Sequence, residues 1–350
     1  MEQDTLRERE PGQAQTVRVV FGGDVMLGRN VKECILRHGP AYPLEPVAPL
    51  MRAADLAIVN LECAITASME RWPGAPKAFY FGAPPAAVET LSSAGIALVS
   101  LANNHALDYG VEGLHDTLRL LRENGIAAAG AGENRAAARC AAILDRAGMR
   151  FGMAAFCDHQ ADFAAGDDSP GVAWLDLDAE AAALRALQDA LEPMRRASVD
   201  WPILSLHWGP NMVLRPAPHL RRIAHAAVDM GWKIVFGHSA HVFQGIEVHR
   251  GFPILYAAGD LVDDYYVDPH FRNDHQLLFE MELTRTSWRG IVLHPLFIAR
   301  CRTRAASGEH AQTIASRMGA LCRELGTPVR YDGSDGECLR IDGPACTGAF

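Results

Sequence analysis

Val17-Arg18-Val19-Val20-Phe21-Gly22-Gly23-Asp24 is a run of apolar, largely β-branched residues that stops at two glycines and a carboxylate. Such a run reads as a buried strand entering a tight turn, with Asp24 at its carboxyl end. The same grammar recurs along the chain. Leu56–Asn60 leads into Asn60-Leu61-Glu62, and Ile96–Leu101 into Asn103-Asn104-His105. Ile203–His207 opens His207-Trp208-Gly209, and Ile234–His238 opens Gly237-His238-Ser239-Ala240-His241. Helical spacing fills the intervals over Pro46–Ala54, Pro85–Ala94 and Gly110–Asn124. The last of these puts Val111, Leu114, Leu118 and Leu121 on one face, with Gly125 as its stop. This alternation of strand and helix predicts a layered α/β fold.

Outward from there, Met149–Phe156 reads as a strand, followed by an acidic loop over Asp158–Ser169 and an alanine-rich helix over Asp178–Arg196. A further helix is expected across His219–Met230. From Gln244 the rhythm becomes β, through Gly245–His249, a turn at Arg250-Gly251, Pro253–Ala257, Gln276–Thr284 and Trp288–Ile298. That meander predicts sheets of mixed direction. Glu309–Glu324 reads as a last helix and Thr327–Phe350 as a glycine-rich tail. The simplest division is a disordered tail over residues 1–15, a main domain over 16–300, and a C-terminal helix and tail over 301–350 packed on that domain.

The chain has 350 residues, 49% hydrophobic and 21% charged, which suits a globular protein with a large core. A net charge of −9 argues against duplex nucleic acid as a partner. No segment resembles a signal peptide or a membrane span, and the eight cysteines are scattered without a Cys-x-x-Cys pair. The expected location is the bacterial cytoplasm, with free thiols and no membrane anchor.

Strand-end carboxylates, an amide and several imidazoles are the donors that divalent cations take. Asp24 is the first candidate ligand; a lone Gly-Asp would more simply cap a turn, but here it stands in a series. His207, His238 and His241 fall at two consecutive strand ends, which reverses the usual expectation of a satisfied core histidine. Asp108 either orients His105 or caps the helix that begins near Gly110. Asp260, with Asp263 and Asp264, forms an acidic cluster that is an added ligand, a support for ligands, or a solvated loop. His294 is a candidate acid or base, although an edge-strand histidine is the plainer reading. Arg29 and Lys77 are candidates for binding an anionic group of a substrate.

Taken together, Gly-Gly-Asp-Val-Met-Leu-Gly-Arg (22–29), Asn-Leu-Glu (60–62), Leu-Ala-Asn-Asn-His-Ala-Leu-Asp-Tyr-Gly (101–110), His-Trp-Gly-Pro-Asn (207–211), the segment 237–248 and Tyr-Ala-Ala-Gly-Asp (256–260) resemble the CapA family. These are bacterial capsule or poly-γ-glutamate synthesis proteins related to calcineurin-like metallophosphoesterases. The resemblance spans roughly residues 17–300. It implies a four-layer α/β/β/α sandwich of two mixed sheets flanked by helices, with one or two divalent ions (Mn, Fe, Zn or Ca) at the strand ends. It implies that Glu62 bridges two ions and that Asn104 offers its amide oxygen. It also implies that His105 faces the substrate as an acid, and Asn103 and Asp260 are further candidates for binding the substrate. Two departures stand out: Met26 replaces an expected histidine ligand, and Asp260 replaces a common Asn.

The implied activity is hydrolysis of a phosphoester or an amide/glutamyl bond by a metal-bound hydroxide, with His105 protonating the leaving group. The substrate would be a peptide, a glutamyl polymer or a phosphorylated small molecule. A metal-dependent peptide Cα epimerase is a second expectation, with Asp24 or His105 on one face and His294 on the other. A non-catalytic, metal-stabilised polymer-binding protein is a third.

Overall fold

The computed structural model describes residues 15–332 and 338–344. The tail expected over residues 1–15 falls, apart from Gln15, outside the described residues, as do parts of the glycine-rich C-terminal segment.

Two sheets face each other. The larger runs, in spatial order, Arg330–Asp332, Cys338–Asp342, Trp288–Ala299, His275–Leu283, Val17–Val25, Leu56–Leu61, Ile96–Ser100 and Ala127–Ala129. Asp260–Val262 adds in parallel at the end of Val17–Val25, and Arg302–Ala305 pairs with Trp288–Ala299. The smaller sheet runs Ile246–His249, Phe252–Leu255, Ile234–His238, Trp201–His207, Met149–Cys157 and Ala142–Arg146. Both mix parallel and antiparallel pairs.

Strand periodicity explains the layers. Side chains alternate between the two faces of a strand. Val17, Val19, Phe21, Leu56, Ile58 and Leu98 of one sheet meet Phe151, Met153, Ile203 and Phe236 of the other in the central core. Their alternates Val20, Ala57, Val59 and Val99 lie under Val31, Ile35, Met51 and Leu91 of the helices on the first outer face. On the opposite outer face, Phe156, Leu204, Leu206 and Val235 pack against Leu187, Leu191, Leu220 and Ile223 of the helices Glu180–Arg196 and Pro218–Met230. The result is helix, sheet, sheet, helix. Because both faces of each central strand are covered, these strands read as continuous apolar runs.

Three elements differ from the sequence reading. Arg29–His38 is a helix that was not anticipated; only Val31 and Ile35 are buried, so its apolar stripe is too thin to show. The expected meander is divided: Ile246–His249 and Phe252–Leu255 join the smaller sheet, whereas His275–Leu283 and Trp288–Ala299 join the larger. The segment beyond residue 300 is woven into the larger sheet through Arg302–Ala305, Arg330–Asp332 and Cys338–Asp342. Among the described residues no helix is long and apolar enough to cross a membrane.

Candidate metal centre

The register of the strands brings the polar strand ends together. Asp24 lies beside Asn60 on one side and Asp260 on the other, and His207 lies beside His238. The approach of Asp24 to Asp260 depends on Gly23. A Cβ there would fall 1.9 Å from the Gly259 carbonyl oxygen, the atom that accepts the Asp24 amide at 2.9 Å. Beyond His238, Ser239 and His241 adopt positive φ of 96° and 56°, a costly conformation for non-glycine residues. That bend lets the Ser239 amide donate to Asp24 Oδ2 at 3.1 Å and brings His241 Nδ1 to within 2.9 Å of Asp260 Oδ1.

Two overlapping groups result, one of Asp24, His207 and His238, the other of Asp24, Glu62, His241 and Asp260. In each, the donor atoms lie within 4.8 Å of one another, and Asp24 is common to both. Asn104 Oδ1 joins the first group at 3.0 Å from His207 Nε2, and Glu62 Oε1 lies 3.6 Å from that nitrogen. Asn60 fixes Asp24 by donating to Oδ1 at 2.8 Å, and Asn103 in turn donates to Asn60 Oδ1 at 3.0 Å.

A cation fits this arrangement. Glu62 Oε1 and Asp260 Oδ2 are buried without a hydrogen-bond partner. Such orphaned carboxylate oxygens are costly unless a positive charge meets them. Burial raises Asp24 to about 6, against the pull of His241 and the bonds from Asn60 and Ser239. Burial, and then the charge of Asp24, push Glu62 and Asp260 well above the usual carboxylate range. Burial likewise lowers His238 to about 3 and His207 well below its ordinary value, so both rings are neutral and carry the lone pair a metal needs. Donors of mixed oxygen and nitrogen are of the kind divalent ions take.

His105 borders this cluster as part of a second network. Its Nδ1 lies 2.5 Å from Asp108 Oδ2, and Phe81 stacks on the ring with centroids 3.8 Å apart. Asp108 also accepts the Phe81 amide at 2.7 Å and pairs with Lys77. Asp108 makes no cap for the helix Gly110–Glu123, so orientation of His105 is the contact the structure shows. Burial lowers His105 to about 4, although Asp108 pulls the other way. Nδ1–H is then directed at Asp108, and Nε2 is the nitrogen that this pair leaves unused.

The remaining candidates are distributed as follows. Lys77 is committed to Asp108 and the Asn104 carbonyl and is thus a support for the His105 network. Asn103 is buried and holds Asn60, the Leu61 carbonyl and the His105 amide. Arg29 rests on Phe79 at 5.1 Å and faces Asp264 at 3.4 Å. Asp260 stands with the metal-ligand candidates and bonds His241. Met26 is fully buried in the outer core, its sulfur accepting the Gly28 amide at 3.1 Å. His294 is not brought to the cluster; Glu280 and Cys338 hold its ring.

Sequence reasoning overlooked His159, whose ring meets that of His207 edge-on at 5.5 Å, and Tyr265, which donates to Glu62 Oε2 at 3.3 Å. His159 follows the strand Met149–Cys157, so the strand-end pattern could have found it. Nothing local marks Tyr265.

The chain matches a family model described as bacterial capsule synthesis protein PGA_cap over residues 18–265. It is similar to a probable polyglutamine synthesis accessory protein of Mycobacterium tuberculosis, 33% identical over 91% of this chain and 94% of that protein. It is also similar to the capsule biosynthesis protein CapA of Bacillus anthracis, 30% identical over 69% of this chain and 58% of that protein. Among solved structures, an NAD nucleotidase of Haemophilus influenzae covers 88% of this chain and 56% of its own, at 10% identity and a TM-score of 0.44.

Proposed function

Because the chain belongs to the PGA_cap family of bacterial capsule synthesis proteins, we propose that it is a metal-dependent hydrolase of a capsule or poly-γ-glutamate related pathway. The bond cleaved is a phosphoester or an amide/glutamyl bond, and the reaction is placed in the cytoplasm. The observation that carries this reading is the His105–Asp108 pair, set beside two overlapping groups of metal donors.

Asp24, Asn104, His207 and His238 would hold one ion, and Asp24, Glu62, His241 and Asp260 a second. Divalent ions there would supply Lewis-acid polarisation and lower the pKa of water they bind. The chain's own part is orientation and proton transfer. Asn60 and Ser239 fix Asp24, and Asn103 holds the His105 amide, while Lys77 and the Phe81 amide hold Asp108 against His105 Nδ1. An anionic substrate beside the ring favours its protonated form, the state from which Nε2 delivers a proton to the leaving group. Arg29, steadied by Phe79 and Asp264, is placed to meet an anionic group of that substrate.

Epimerisation at Cα needs proton carriers on opposite faces of the substrate. His294 is occupied with Glu280 and Cys338 away from the cluster, so it does not serve as that second carrier. The deciding experiment measures metal content of the purified protein and then turnover of phosphodiesters and glutamyl peptides with Mn, Fe or Zn added. Release of phosphate or amine is expected. Metal-loaded protein that cleaves no member of either class, or that exchanges Cα hydrogen without cleavage, would overturn the proposal.

A further inference from the structure

A second cluster of chemistry-bearing side chains lies on the outer face of the larger sheet. Glu280, His294 and Cys338 stand on three successive strands, His275–Leu283, Trp288–Ala299 and Cys338–Asp342. Their chain neighbours Phe279, Leu293 and Leu339 point into the core between the sheets, so these three point away from it. Cys338 Sγ lies 3.4 Å from His294 Nδ1, and His294 Nε2 lies 2.9 Å from Glu280 Oε2. Thiol, imidazole and carboxylate thus form a line in which each ring nitrogen has its own partner. The His294 and Glu280 side chains are 18% and 17% exposed, and Cys338 is half-buried.

The charges around the ring favour its protonated state. Burial alone would lower His294, but Cys338 and Glu280 outweigh it and lift the ring to about 9. Arg18, on Val17–Val25, approaches the other Glu280 oxygen at 3.7 Å, and Arg340, on the strand of Cys338, adds positive charge near the same carboxylate. An imidazole set against a sulfur and held from behind by a carboxylate is the arrangement that prepares a thiol as a nucleophile.

We propose that Cys338 is a nucleophilic thiol, activated by His294 with Glu280 behind it, and forms mixed disulfides with low-molecular-weight disulfides in preference to the exposed Cys140. The Cys338 thiolate attacks one sulfur of the incoming disulfide, and a new S–S bond forms as the old one breaks. Cys338 is oxidised, and the departing sulfur is reduced to a thiolate that takes its proton from solvent. His294 keeps its own proton and its bond to Glu280. The site is independent of the metal centre and of the hydrolase reading.

Cys140 provides an internal standard. It is exposed, and among the described residues its sulfur meets the Ala141 carbonyl, at 3.8 Å. The intact protein is incubated with oxidised glutathione at about pH 6, where an ordinary thiol is almost wholly protonated. Adducts on the two cysteine peptides are then followed in time by mass spectrometry. Cys338 is expected to react about tenfold faster than Cys140 or more, because its sulfur stands 3.4 Å from the His294 ring, whereas the Cys140 sulfur has a backbone carbonyl beside it. His294→Gln should remove that advantage, and Glu280→Gln should narrow it. Equal rates at the two cysteines in the unaltered protein, or faster reaction at Cys140, would overturn the proposal whether or not the variants fold.

Discussion

His207 and His238 meet Nδ1 to Nδ1 at 2.9 Å, at the ends of adjacent parallel strands. Two neutral imidazoles at this distance share at most one proton. The other ring nitrogen of His238 decides where it sits: Nε2 lies 2.8 Å from Ser205 Oγ, on the same strand as His207. If the Ser205 oxygen accepts Nε2–H, His238 Nδ1 is left with its lone pair toward the centre, as a metal ligand requires.

Ser205→Ala should therefore weaken metal binding by about 10- to 100-fold, the usual cost of losing a partner that fixes a ligand's tautomer. Competition with a calibrated chelator measures it. Unchanged affinity would show that Ser205 does not set the ring.

Asp260 belongs to only one of the two donor groups. Asp260→Asn should lower the bound metal by one ion per chain and leave the ion held by Asp24, His207 and His238. Elemental analysis after dialysis gives the answer; full retention of both ions would remove Asp260 from the ligand set.

His105→Ala removes a proton carrier and no proposed ligand. Turnover of whichever substrate is cleaved should fall about 10²- to 10⁴-fold. Metal content should be unchanged. Loss of metal together with activity would instead place His105 in the centre itself.

Lys77 is the counter-ion of a fully buried carboxylate, its own side chain 10% exposed. Lys77→Met should cost about 3 kcal/mol in urea unfolding, as expected when one partner of a buried pair is removed. A substrate-binding role predicts the opposite pattern, a raised KM with unchanged stability.

The His294–Glu280 pair predicts a pH window. His294 is raised from 6.5 to about 9 in the folded chain, so its contribution is complete below about 6.5 and is lost as pH rises through 9. Glu280 is lowered from 4.5, so its contribution is present above that value and fades as pH falls below it. The stability difference between the unaltered chain and His294→Gln should be largest between pH 4.5 and 6.5 and should shrink toward alkaline pH. A difference that does not change with pH would mean that the pair is not ionic.

What could be read from the sequence follows a physical division. Central strands covered on both faces leave long apolar runs, and polar residues at their ends stand out against them. Asp24, Glu62, Asn104, His207, His238 and His241 were visible for that reason. What was hidden depends on pairing across long separations. Phe252–Leu255 and His275–Leu283 look alike as strands, yet they belong to different sheets. The role of Lys77 follows from a contact with Asp108 across a loop, and that of Tyr265 from a contact with Glu62 some two hundred positions away. Arg29–His38 escaped notice because a helix with two buried side chains writes almost no pattern into its sequence.

The closeness of Gly23 to the Gly259 carbonyl reaches beyond local geometry. The spacing between Asp24 and Asp260 is set by a contact between two backbones, with no side chain to adjust it. A position that performs no chemistry is therefore as intolerant of replacement as the candidate ligands beside it. In a saturation survey Gly23 would register as essential, and a reader of such data would be tempted to give it a catalytic part. Its contribution is an absence of atoms, which only glycine can provide.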